Sequence, residues 1–280
     1  MAIVNPFTYI SHPRRTARGF LVVMGRLTID FLRAIGESWM MLAAVAGALV
    51  RDRPRREVLI TQLYHIGYLS LVVVLVTGSS MGLVLAVQSY ATLVRFNAEV
   101  MSGPMINYSI VSQLGPVMTA LMVAGRVGSN IAAELGTMKV TEQIDALRVM
   151  GTSPLSYLVA PRVLACTALL PILGALGSLI GVVSAHVLCV EIWGVDAGAY
   201  WFQAMKYVAT WDVMVGIAKC PFFGVIIGLV ACRQGLRTMG GATGVGQACT
   251  RAVVQASLAV LVANFILTLL GNKLYLVLHA

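Results

Sequence analysis

Residues 64–88 read YHIGYLSLVVVLVTGSSMGLVLAVQ, a run without one Asp, Glu, Lys or Arg. Wound as a helix, such a run rises about 1.5 Å per residue and outreaches the ~30 Å of hydrocarbon in a bilayer. Similar apolar runs lie near 106–127, 163–187, 213–232 and 252–271, so the reading is five transmembrane helices. Composition agrees: 59% of the 280 residues are hydrophobic and 11% are charged. With a mean hydropathy of +0.86, the chain has too little polar surface to coat a soluble globule.

The basic residues orient these spans, because Lys and Arg of short loops stay on the cytoplasmic side. Nine Arg fall within Met1–Glu57. Arg126, Lys139, Arg148 and Arg162 flank the second inner loop, and Arg233, Arg237 and Arg251 the third. Only Arg95, Lys206 and Lys273 remain for the outer side, with Lys219 inside a span. The N-terminus is therefore expected in the cytoplasm and the C-terminus outside. The net charge of +9 reads as topology and attraction to anionic lipid, not as nucleic-acid binding, since no basic run alternates with aromatics.

Two domains are expected, an N-terminal cytoplasmic and interfacial segment at 1–57 and a membrane domain at 58–280. In the first, Arg26, Asp30, Arg33 and Glu37 recur at helical spacing beside an apolar face. That pattern suits a helix lying in the membrane interface, and Pro54 breaks it before the first crossing. The five Cys show no CxxC spacing and read as small apolar fillers. The four His are isolated, and no metal-ligand cluster stands out.

Between the second and third spans, residues 134–154 (ELGTMKVTEQIDALRVMGTSP) gather unusual charge. Val140, Ile144, Leu147 and Gly151 share one helical side, while Glu142, Asp145 and Arg148 line another. This predicts a short amphipathic helix near 138–150, ended by Gly151 and Pro154. A solvated loop would not need an apolar face, so the helix has something to dock into.

The block QLGPVMTALMVAGRVGSNIAAELGTMKVTEQIDALRVMGTSPLSYLVAPRVLA (113–165), with GVDAGAYW (194–201) and TRAVVQASLAVLVANFILT (250–268), resembles the MlaE/YrbE-type permeases of ABC transporters that carry lipids with MCE-domain proteins. The likeness runs from about Gln62 to Gly271. It implies an all-α integral membrane protein of five transmembrane helices, preceded by an interfacial amphipathic helix and carrying a cytoplasmic coupling helix. It also implies a bacterial inner-membrane location, a second copy of the chain, an ABC ATPase subunit with a small regulatory subunit on it, an MCE-domain protein and a lipid substrate. No GxxxxGK[ST] occurs, and GGATGVG (240–246) lacks the Lys that reaches phosphates, so ATP and Mg belong to the partner ATPase and this chain holds no cofactor.

The resemblance makes Glu134, Glu142, Asp145 and Arg148 polar contacts to the ATPase, with Ile144 and Leu147 as apolar anchors. For the lipid path it points to Met81, Leu85, Gln88 and Tyr90 on the first span, Gln113 on the second, Lys219 on the fourth and Asn264 on the fifth. Met81, Leu85 and Gln88 follow each other at helical steps, apolar inside and polar at the mouth. Lys219 must face a partner or a wet cavity, because an unpaired ammonium in a span is costly. Two departures stand out: Ser112-Gln113 replaces the Arg-Glu of many members, and Asn264 replaces an acid found in some.

Pro116 predicts a kink in the second span, and GSSMG (78–82), GSLIG (177–181) and GVIIG (224–228) read as helix-packing signals. GSSMG also matches GxSxG, which makes an intramembrane hydrolase using Ser80 a rival. That motif needs a strained strand-to-helix turn, whereas Ser80 lies in mid-span. An ion-coupled secondary transporter is the other alternative, but five spans do not divide into two similar halves.

Overall fold

The computed structural model describes residues 25, 29, 36–47 and 56–279. The chain divides into a unit at 1–44 and a unit at 45–280. Residues 36–47 form one helix, α1. Arg26, Asp30 and Arg33, which carry the expected interfacial stripe, lie outside the described residues.

All regular structure among the described residues is helical, and five helices are long and apolar enough to cross a membrane: Arg56–Phe96, Glu99–Val140, Leu155–Ile192, Thr210–Leu236 and Gly241–Val277. The first is α2 (Arg56–Leu93), closed by Asn97 at φ 52°. Three α segments make the second span, α3 (Ser102–Ser109), α4 (Gly115–Val123) and α5 (Ser129–Val140). They are joined through single π-helical turns at Ile110–Leu114 and Ala124–Gly128. After α6 (Gln143–Val149) come α7 (Ala160–His186), α8 (Ala197–Tyr207), α9 (Thr210–Leu236) and α10 (Gly241–His279). Two helix starts are held by an acid: Asp196 Oδ2 accepts from Ala199 N at 2.6 Å, and Asp212 Oδ2 from Ala209 N at 3.0 Å.

The glycine motifs are where the spans meet. A Cβ added to Gly78 would stand 2.6 Å from the Gly177 carbonyl oxygen, and one on Gly82 would overlap the Gly181 carbonyl. GSSMG of the first span thus lies against GSLIG of the third, backbone on backbone. Gly224 and Gly228 meet Cys166, Thr167 and Val163 in the same way, bringing the fourth span onto the third. Ser80 sits in the uninterrupted helix α2, its hydroxyl donating to Val76 O at 2.9 Å, which is a helix-internal bond and not a nucleophile's geometry. Four of the cysteines are buried and all five are free thiols.

The third span is the centre of the packing and contacts α2, α4 and α9. α10 is the opposite case: only 11% of its apolar window is buried, against 56% for the second span. Its exposed Leu258, Leu261, Val262, Phe265, Ile266 and Leu269 require lipid or another chain against them.

Candidate functional site

The second span does not kink as a simple proline bend. Its π-turn at 110–114 immediately precedes Pro116, and the proline ring has no N–H to give the carbonyl four residues earlier, that of Ser112. Lys219 of α9 takes the place of that missing donor: its Nζ reaches Ser112 O at 3.1 Å. The same ammonium donates to Gln113 Oε1 at 3.1 Å and to Thr268 Oγ1 of α10 at 3.0 Å. Three N–H groups therefore meet three neutral oxygens. The Thr268 hydroxyl has two acceptors within reach for its own proton, Asn264 O at 2.7 Å and Gln113 Oε1 at 3.1 Å. Lys219 is 3% exposed, and among the described residues no carboxylate is bonded to it.

Of this cluster Lys219 also lines an apolar groove of about 300 Å³ between α9 and α10, together with Trp211, Met214, Phe222, Leu267, Leu270 and Leu274. One buried charge beside a greasy slot matches an amphiphile, whose charged end needs the ammonium and whose chain needs the slot. Asn264, one turn from Thr268, keeps its Oδ1 buried without a hydrogen-bond partner. Of the residues named for the lipid path, the structure brings Lys219 and Gln113 together, with Asn264 adjacent. Thr268 was missed; it is one small hydroxyl in an apolar helix, and no spacing signal sets it apart.

The first-span residues differ from expectation. Met81, Leu85 and Tyr90 pack on a buried cluster of their own chain formed by Ala86, Ile106, Ile110, Ala185, Cys189, Val195 and Tyr200. Tyr90 further stacks on Trp193 with centroids 4.2 Å apart. The face read as a lipid-lined surface is an intrachain packing face, because Gly78 and Gly82 draw that side of α2 onto the third span. Gln88 alone of this set points outward.

Between the second and third spans, the amphipathic helix is shorter than the expected 138–150. Residues 138–140 finish α5, the backbone turns at Glu142 with φ 60°, and α6 spans Gln143–Val149. The turn folds α6 back so that Ile144 is 0% exposed; a straight continuation would leave it in water. Ile144 therefore anchors the loop to its own chain and does not reach a partner. Lys139 Nζ bridges the break to Asp145 Oδ2 at 2.8 Å, and Arg148 Nη1 meets Asp145 Oδ1 at 3.0 Å. The hydrogen bond from Lys139 holds the Asp145 carboxyl below the usual carboxylate range. Glu134 is likewise engaged within the chain, with Arg162 Nη2 at 3.0 Å and Asn130 Nδ2 at 3.0 Å. What the turn offers outward is Glu142, Gln143, Ala146, Arg148 and part of Leu147, with Val149 and Met150, which are 89% and 69% exposed. The last two were not singled out in the sequence, since they fall off the Ile144 face.

The sequence matches the family model described as Permease MlaE over residues 59–270. It is 40% identical over 250 residues to a "Probable ABC transporter permease protein" of Rickettsia felis, an alignment covering 89% of this chain and 96% of that one. It is 38% identical over 251 residues to the "Intermembrane phospholipid transport system permease protein MlaE" of Haemophilus influenzae, covering 89% and 96%. A chloroplast relative, "Protein TRIGALACTOSYLDIACYLGLYCEROL 1" of Arabidopsis thaliana, is 36% identical over 207 residues, covering 74% of this chain and 59% of that one.

Proposed function

The chain belongs to the MlaE permease family, and from that premise we propose that it carries phospholipid between the inner membrane and an extracytoplasmic MCE-domain protein. As an ABC-transporter permease it is a multi-pass transporter subunit and not an enzyme. On our reading a separate ATPase, binding ATP and Mg, docks on the turn at Glu142–Met150. A second copy of the chain covers the apolar face of α10, and the N-terminus lies in the cytoplasm with the C-terminus outside.

The observation that carries this reading is Lys219. A desolvated ammonium with three neutral partners, at the edge of an apolar groove in the outer half of the spans, supplies the two features that an amphiphilic cargo demands. An ion-coupled carrier would instead want paired titratable groups near the spans' middle. Purification with partner subunits, followed by ATP-driven transfer of labelled phospholipid from proteoliposomes to the MCE protein, tests the reading. Transfer should need ATP and fall at least about tenfold in Lys219→Gln, the loss expected when the positive charge that attracts the headgroup is removed. Failure of phospholipid to co-purify, together with ATP-independent transfer, would overturn it.

A further inference from the structure

A second cation sits in the spans, in the opposite leaflet. Arg126 occupies the other π-turn of the second span, Ala124–Gly128. Its Nη1 donates to Ser70 Oγ of α2 at 2.7 Å, and among the described residues no carboxylate forms an ion pair with it. Ser70 is 2% exposed, whereas Arg126 is only half-buried. The guanidinium has five N–H donors, and none of those left over is a sealed orphan inside the chain. Beside it, a Cβ added to Gly125 would meet nothing within 4 Å, so this flank of the helix is open.

Depth tells what this open cation meets. Tyr64 and Tyr68 stack at 5.3 Å on the exposed side of α2 and mark the inner headgroup belt. Ser70 and its partner Arg126 stand less than about 10 Å further in, at the helical rise. Trp211 and Tyr275 pair at 6.2 Å at the outer end, and Lys219 lies about 12 Å inside Trp211. Gln113 and Arg126 are separated along the second span by about 20 Å, most of the hydrocarbon thickness. Single π-turns inside α-helices recur at functional positions; here each of the two in this span holds a polar residue at one of the two cationic points.

We propose that Arg126 is an inner-leaflet site for the phosphate of a phospholipid, the counterpart of the outer site at Lys219. The guanidinium supplies paired donors to the phosphate oxygens, and the open flank at Gly125 admits the headgroup from the cytoplasmic leaflet. The inference rests on the lipid-permease reading above.

Titration of delipidated permease with phosphatidylglycerol, read by native mass spectrometry, tests it. The wild type should bind two lipids per chain. Arg126→Gln should weaken one of them about tenfold or more while leaving the other, and Lys219→Gln should remove the complementary one. Arg126→Lys, which keeps the charge and loses the fork, should restore part of the binding and report that the fold survives. Ser70→Ala should keep both lipids; if it behaves as Arg126→Gln, the arginine is only an interhelical pin and the proposal fails. Displacement of the Arg126-dependent lipid by excess inorganic phosphate would make it a site for the free anion and also overturn it. Two lipids retained in Arg126→Gln overturns this inference alone, whereas no lipid bound by the wild type overturns the permease reading as well.

Discussion

Replacing Gln113 by Glu places a carboxylate where the structure has a neutral amide oxygen, 3.1 Å from Lys219 Nζ. At that separation and an effective dielectric near 20, the new attraction is about 5 kcal/mol. Desolvating the carboxylate costs several kcal/mol in return, so the folded protein should change in stability by only ~1–2 kcal/mol. The effect on a lipid is larger and one-sided. An anionic phosphate about 4 Å from Nζ gains roughly 4 kcal/mol at the same dielectric, but with the introduced carboxylate some 7 Å away it also meets a repulsion of about 2.4 kcal/mol. The preference for net-anionic over zwitterionic headgroups should therefore fall between about tenfold and a hundredfold. The assay is the ratio of phosphatidylglycerol to phosphatidylethanolamine recovered with the purified permease from mixed liposomes. Gln113→Met is the control, since it removes an acceptor without adding charge; it should cost ~1–3 kcal/mol of stability and keep the anionic preference. A folded Gln113→Glu protein with an unchanged lipid ratio would refute the reasoning, because the cargo's charge would then not be read at Lys219.

At the inner turn, Val149→Asp with Met150→Asp should abolish lipid-stimulated ATP hydrolysis by the assembled transporter with the permease still inserted, whereas Ile144→Asp should lower the permease's own melting temperature; the reverse pattern would restore Ile144 as the partner contact. Impermeant maleimide should label a Cys at Lys206 from outside and not one at Thr152, in a chain whose Cys249 is replaced by Ser, and opposite labelling would overturn the orientation. Gly82→Ala pushes a methyl into the Gly181 carbonyl and should cost ~1–3 kcal/mol by overpacking, seen as a lowered melting temperature, while Gly246→Ala, which meets nothing within 4 Å, should be neutral.

The spans were legible because hydropathy is a local property: each run of about twenty apolar residues must satisfy its own backbone in lipid, and no distant residue alters that requirement. Gly78, Gly82, Gly177 and Gly181 were legible as packing residues but not as partners of one another. Pairing depends on which helix faces which, and two glycines four apart say only that something comes close. The same gap explains Met81 and Leu85. Their spacing defined a face correctly, yet the same face of α2 serves lipid or protein according to what the third span presents, which lies about a hundred residues downstream.

The site at Lys219 shows where the gap becomes chemical. From the sequence, Lys219 needed a partner or a wet cavity, and Gln113 was named for the lipid path without being paired to it. The other two acceptors arise from features that carry no sign of polarity on their own. Ser112 offers its carbonyl only because Pro116 has no N–H to cover it, and Thr268 offers a hydroxyl that in another helix would simply bond its own backbone. A proline read alone predicts a bend; a lysine read alone predicts a partner. Set four residues from the same carbonyl and across one helix interface, they satisfy each other without an acid. In a chain where Gln113 stands in place of an acid, that arrangement keeps the buried positive charge from being spent on a fixed ion pair, which the proposed lipid site requires.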